Sequence, residues 1–378
     1  MRRGVPAMAW ARCPCHCNNG SFCWTLWATL WSAARLARLP AAAEKTCFIL
    51  LRLHDMTLRM PARLKVALEL LPVWYLWLQA FTLLDTEVRL TDPPRYDLAF
   101  TAGFPLAWFA AYYLVKPSRG PARTFPRALL IVTLSCALPL LLILVVLNPA
   151  PQPPDVLMQQ MEVGRYVFAV LLAFQCAVIV SGTAFVKFFV VALLYGAILE
   201  NGGILGGFFS EPGYLFYIPG LPAPFVNVVG WSITVYMSVY IWQRIMERFQ
   251  PTRFKTAIFA VGVTAIALCQ DLQIDPYATH ARWWIWNEKL PPCFLGVPLL
   301  NFLAWIAAIL PFAWLYYYIE SKPALTETER IGRLFLAVPV MLAAALAVVL
   351  LLTLMFRGPG SPDIEVFATA LGLRSGGG

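Results

Sequence analysis

Four carboxylates stand where carboxylates are costly. Glu69, Glu200, Asp271 and Asp275 lie inside or at the rim of long apolar runs, where ionised side chains are expensive and mark candidate sites by default. Asp271 and Asp275 are four residues apart, so on one helix they share a face and, if both are ionised, repel. A single proton shared by the two acids relieves that repulsion, and such a pair holds an acid and a base at the same pH. A second reading of the same spacing has Asp275 opening the turn before Pro276 and Asp271 facing water at a helix end. Spacing alone leaves both readings open.

The residues around these acids also read two ways. Trp283, Trp284 and Trp286, with Tyr277 close by in the chain, offer ring faces to a cation or to an extended conjugated ligand, or else form an interfacial aromatic belt. Asn201, Asn227 and Asn301 suit the holding of a catalytic water, or the bridging of one membrane helix to another. The glycines of GGILGG at 202–207 permit close approach of a flat ligand, or simply make a turn. His280 has no partner box and reads as a hydrogen-bonded rim residue.

Several chemistries are excluded by what is missing. Di-iron membrane oxygenases need about eight clustered histidines, whereas only His16, His54 and His280 occur. No Walker sequence, GxSxG elbow or HExxH helix is present, and the one glycine-rich run lies between hydrophobic spans rather than between a strand and a helix. Paired DDxxD motifs for magnesium diphosphate are absent too. The nine cysteines give no disulfide framework, because five crowd into residues 13–47. The alternate spacing of Cys13, Cys15 and Cys17 is not that of a zinc knuckle. Neither metal nor cofactor is expected.

The elements that must position these groups are membrane helices. Of 378 residues, 60% are hydrophobic and 13% charged, against roughly half and a quarter in soluble domains. Mean hydropathy is +0.68. Apolar runs long enough to cross a bilayer fall at 66–84, 98–115, 128–148, 166–183, 186–199, 224–243, 256–270, 295–319 and 334–356. The expected fold is therefore an all-α polytopic membrane bundle of about nine transmembrane helices, seven at the fewest. Residues 1–60 read as a poorly structured or mis-started extension, with Met56 or Met60 as alternative starts, 61–357 as the helical domain, and 358–378 as a flexible tail. The formal charge of +9 is concentrated in Met1 to Lys65, which hold ten Lys/Arg against Glu44 and Asp55. The rest of the chain has no basic stripe, which argues against a nucleic-acid partner.

Charge also decides how 165–200 crosses. If that stretch forms two helices, sixteen basic loop residues after Leu51 collect on one side and seven on the other. A single long helix would put the basic loops after residue 243 on the wrong face. Two helices are therefore expected, with a cytoplasmic N-terminus. The loops at 200–222 and 271–294 then share the opposite face and look like two halves of one site.

Two stretches resemble a known family. DLQIDPYATHARWWIWN, Asp271 to Asn287, followed by GVPLLNFLAW, Gly296 to Trp305, is similar to the membrane carotenoid-biosynthesis proteins that include carotenoid 1,2-hydratases. Asp271, Asp275, Pro276, Trp284, Trp286, Gly296, Pro298, Asn301 and Trp305 match that pattern. Glu200 through Tyr214, Tyr217, Pro222, Pro224 and Trp231 resembles the family's earlier block. The chain departs from the pattern at Arg282, at Ala304, and where Ser210-Glu211-Pro212 alters the spacing. The resemblance covers about 186–320.

What the resemblance implies is an integral protein of a bacterial inner membrane that adds water to the terminal double bond of a lycopene-like or γ-carotene-like polyene without a cofactor. Its partners would be the carotenoid, water, the lipid bilayer and other carotenoid enzymes. Asp271 or Asp275 would be the acid, and the other or Glu200 the base. Asn301 would orient water, Trp284 and Trp286 would line the cation, and Tyr214, Tyr277, Trp231 and Trp305 would contact substrate. The alternatives are a proton- or ion-coupled transporter or lipid-binding membrane protein, and a prenyl or lipid transferase.

Overall fold

The computed structural model describes residues 153–249 and 253–373, with residues 60, 61, 64, 68, 69, 71, 72 and 75. Among the described residues, six helices are long and apolar enough to cross a membrane. They are α1 (Pro154–Val180), α2 (Gly182–Leu205), α3 (Phe225–Phe249), α4 (Lys255–His280), α5 (Leu299–Glu320) and, after the short α6 (Glu327–Leu336), α7 (Val338–Arg357). A last helix, α8 (Pro362–Ala370), follows. The chain is an all-α membrane bundle. Its outer surface is apolar, with Val163, Val167 and Val170 of α1 and Leu351, Met355 and Phe356 of α7 exposed, as suits lipid contact.

All six spans expected after residue 165 are present. The doubtful stretch divides at Ser181, whose extended backbone stops α1 and whose hydroxyl accepts from the Ala184 N–H at 3.0 Å to cap α2. The chain reverses there, so that Arg165 and Glu200, on either side of the break, line the same cavity. The spans expected at 98–115 and 128–148, the extension 1–59 and its cysteine cluster lie outside the described residues. Of 66–84, only residues 68, 69, 71, 72 and 75 are described, and all are helical.

Three boundaries differ from expectation. α1 starts at Pro154 and α4 runs on to His280, because Glu162 and Arg165 in one, and Gln270 to Asp275 in the other, lower the hydropathy of segments that are nonetheless helical. Helix α4 passes through Pro276 instead of ending there. Asp271 and Asp275 are therefore mid-helix and buried, and do not face water at a helix end. The segment expected as a flexible tail carries α8, capped by Ser361 and anchored by buried Val366 and Phe367.

The bundle has two distinct ends. At one, the loop after α2 meets the loop after α4. Strands β1 (Phe209–Ser210) and β2 (Ile285–Trp286) pair antiparallel, Phe209 opposite Trp286, and Asn287 donates to the carbonyls of Phe208 and Gly207 at 2.9 and 2.7 Å. The two loops therefore share one end, as the charge bias requires. A second small ladder, β3 (Pro292–Phe294) with β4 (Val297–Pro298), leads into α5. At the other end, buried Lys187 donates to Glu320 at 2.6 Å and Glu327 at 2.9 Å, clipping α6 to the bundle. Between them, Phe188, Tyr236, Phe259, Phe312 and Tyr316 fill the core.

Candidate active site

The first acid pair is built by two helices. Asp271 and Asp275, one turn apart on α4, are 1% and 0% exposed. Asn301, in the first turn of α5, places its amide nitrogen 3.0 Å from Asp271 Oδ1 and 2.5 Å from Asp275 Oδ2. One NH₂ group thus spends a proton on each carboxyl. Trp305, one turn further along α5, lies close to Asp271. The remaining oxygens, Asp271 Oδ2 and Asp275 Oδ1, have no N–H or O–H donor, and the two carboxyls lie within hydrogen-bonding reach of each other. Two buried like charges with so few donors are unstable. A proton held between them satisfies both orphaned oxygens.

A second acid pair closes the site from the loop side. Glu200, in the last turns of α2, accepts the Trp231 indole N–H at 2.7 Å. Against it lies Glu211, which follows β1 and is 5% exposed. Glu211 Oε1 accepts from Asn227 Nδ2 at 2.8 Å, and Asn227 Oδ1 accepts from Arg165 at 2.9 Å, so a guanidinium reaches the pair through one amide. Burial first, and then the charge of Glu200, hold the Glu211 carboxyl well above the usual carboxylate range. The loop is fixed by Glu162, which accepts the Leu215 and Phe216 N–H groups at 2.7 and 3.1 Å, and by Tyr217, whose hydroxyl donates to the Glu211 carbonyl at 2.5 Å.

Both pairs border one cavity of about 530 Å³. Glu200, Glu211, Asp275, Asn301, Trp231, Trp284, Trp286 and Trp305 line its polar half, with Asp271 directly behind Asp275. Its other half is apolar, lined by Ala304, Ala307 and Ala308 of α5, Ala345 and Leu346 of α7 and Phe367 of α8. Ile198, Leu205, Leu346 and Leu371 line the cavity and are also exposed, by 43%, 75%, 43% and 47%. That end therefore faces the apolar surface between α2 and α7. The glycines act here as spacers: a side chain at Gly196 would collide with Trp231, and one at Gly203 would meet the Phe209 ring at 2.6 Å.

Not every expected site residue reaches this cavity. Tyr277 and Trp283 pack with Leu157 and Met158 in a separate cluster, where Tyr214 also sits. Asn201 ties α2 to the Ala223 N–H at 3.1 Å, His280 Nδ1 donates to the Pro276 carbonyl at 2.8 Å, and Glu69 does not line the cavity. Glu211, Arg165 and Glu162 were not singled out by sequence reasoning. Arg165 carried a usable signal, a cation within a helix otherwise apolar enough to span. Glu211 carried none, since it reads as an ordinary loop acid.

A family model described as carotenoid biosynthesis protein matches residues 162–368. The matched region begins at Glu162 and ends just past Phe367, so it includes both acid pairs and most of the residues that line the cavity. No curated protein and no solved structure matches the chain.

Proposed function

The chain belongs to the carotenoid biosynthesis protein family, and from that premise we propose that it hydrates the terminal trisubstituted double bond of an acyclic or monocyclic carotenoid. A carboxylic acid protonates the less substituted carbon, which leaves a tertiary carbocation. Water adds to the cation, and a carboxylate takes the proton that water releases. Polyene and water yield one tertiary alcohol, so the balance needs no oxidant or reductant. Loss or gain of a general acid or base is worth roughly 10²–10⁴ in rate.

The observation that carries this reading is the pairing of buried acids with indole faces around one cavity. Trp231, Trp284, Trp286 and Trp305 line it together with Asp275, Glu200 and Glu211. Carboxylates and π-faces stabilise a cation most where water is excluded. Asn301 orients the Asp pair toward the reacting carbon, and the alanine-lined end suits a narrow, apolar polyene chain.

The end away from the site gathers Lys187, Arg244, Arg253, Lys255, Lys322, Arg330 and Arg333. By the positive-inside bias it is the cytoplasmic end of a protein in a bacterial inner membrane. Pigment extraction from a lycopene-producing host that expresses the chain tests the function. A new pigment heavier by one water, bearing a tertiary alcohol, is the expected result, and unaltered lycopene and γ-carotene would refute it.

A further inference from the structure

Four carboxyls border or back the cavity, and their partners divide them unequally. The Asp271–Asp275 pair is served by one neutral donor group, the Asn301 amide, with the neutral Trp305 side chain close by. No cation enters its surroundings among the described residues, and the charge of Glu200 reaches Asp275. The Glu200–Glu211 pair is served by the Trp231 indole and, through Asn227, by Arg165, whose positive charge acts on both carboxyls. Tyr75, Tyr214 and Tyr217 also face this group, Tyr75 against Arg165 and the other two against Glu211. Among the described residues one guanidinium is thus available to offset negative charge in the cavity, and it is wired to one pair only.

Resting on the hydration reading, we infer that the two pairs have divided roles: Asp271–Asp275 is the proton donor to the polyene, and Glu200–Glu211, whose one shared negative charge is offset by Arg165 through Asn227, is the proton acceptor for water. Glu211 lines the cavity and is a catalytic residue with Glu200. Arg165 and Asn227 act through it and are positioning residues. A negative charge on the Glu pair favours retention of the proton on the Asp pair, so each station prepares the other. One turnover moves a proton from the Asp pair to carbon and another from water to the Glu pair. Transfer of one proton back from Glu to Asp resets the site.

Hydrogen exchange separates the two roles. The full chain, reconstituted in liposomes with lycopene in D₂O, is compared with Glu200→Gln/Glu211→Gln and with Asp271→Asn/Asp275→Asn. Without its acceptor the enzyme still protonates the alkene, and the cation returns to alkene by giving back a proton. The Glu variant should therefore lose hydration by about 100-fold or more, while lycopene recovered from it carries carbon-bound deuterium. The Asp variant should show neither alcohol nor deuterium. Loss of exchange in the Glu variant, or exchange retained in the Asp variant, would overturn the division of roles.

Arg165→Gln, which keeps a donor for Asn227 but removes the charge, supplies a second and milder readout. The acidic limb of its pH–rate profile should move to higher pH, because the loop acid Glu211 loses a cation that favours its ionised form. An unmoved limb would also overturn the inference, and this variant carries the test if the double variants fail to reach wild-type levels in the membrane. Absence of alcohol from the wild-type chain would strike the hydration reading itself, which keeps the two failures distinct.

Discussion

The indole rings of Trp231 and Trp305 stack with centroids 4.7 Å apart and 20° between their planes, and each supports a different acid pair. Trp231 donates to Glu200 at 2.7 Å, while Trp305 lies close to Asp271. The stack lies in the cavity wall between the two pairs, so one rigid aromatic unit sets their relative placement.

That unit depends on Gly196, which leaves room for Trp231 on α2's flank. Gly196→Leu should displace the indole, with an overpacking cost of about 1–3 kcal/mol, and reduce hydrated product by more than about tenfold. Trp231→Phe keeps a ring but removes the donor to Glu200, and should lower kcat more than it changes KM. Pigment yield and detergent melting, measured together, separate lost positioning from lost fold.

Asp271→Asn and Asp275→Asn should each reduce tertiary-alcohol product by about 10²–10⁴ at unchanged membrane level, the range for a lost general acid or base. Asn301→Leu removes the shared donor, and leaving buried acceptors unpaired costs about 1–3 kcal/mol. Wild-type product from both Asp variants would show that the pair is structural.

Ala345 stands at the apolar end of the cavity. Ala345→Phe fills space that is already empty, so melting should change by less than about 1 kcal/mol, while conversion of a full-length polyene is lost. Undiminished conversion would show that the polyene chain lies elsewhere.

At the opposite end, Lys187→Met would take from half-buried Glu320 the cation it is hydrogen-bonded to, leaving it only the more distant charge of Arg330, a lesion worth up to about 3 kcal/mol in detergent melts. Burial opposes ionisation of Glu327, but Lys187 and then Arg330 outweigh it and hold its carboxyl below the usual range. Its contribution to stability is therefore complete at neutral pH and is lost as pH falls through that lowered value. Glu327→Gln should flatten the acid side of the stability profile.

Cys293 is exposed in the loop that carries β3, at the site end. In a variant retaining Cys293 as its one cysteine, a membrane-impermeant thiol reagent should label intact cells. Labelling that needs cell lysis would invert the orientation.

Much of this molecule was legible in one dimension. Hydropathy windows located the six described spans, and the four-residue spacing of Asp271 and Asp275 placed both acids on one face of α4, because helical periodicity relates near neighbours without reference to anything else. The charge bias predicted a reversal within 165–200 and the shared end of the two loops. Spacing could not decide whether those acids faced water. That depended on α4 continuing through Pro276 and on α5 covering it with Asn301 and Trp305. The Glu200–Glu211 pair, the reach of Arg165 through Asn227, and the withdrawal of Tyr214 and Tyr277 into a separate cluster were decided only by the tertiary structure. Each joins residues from different helices and loops, and what sets such contacts is side-chain packing across the bundle, which no periodicity along the chain encodes.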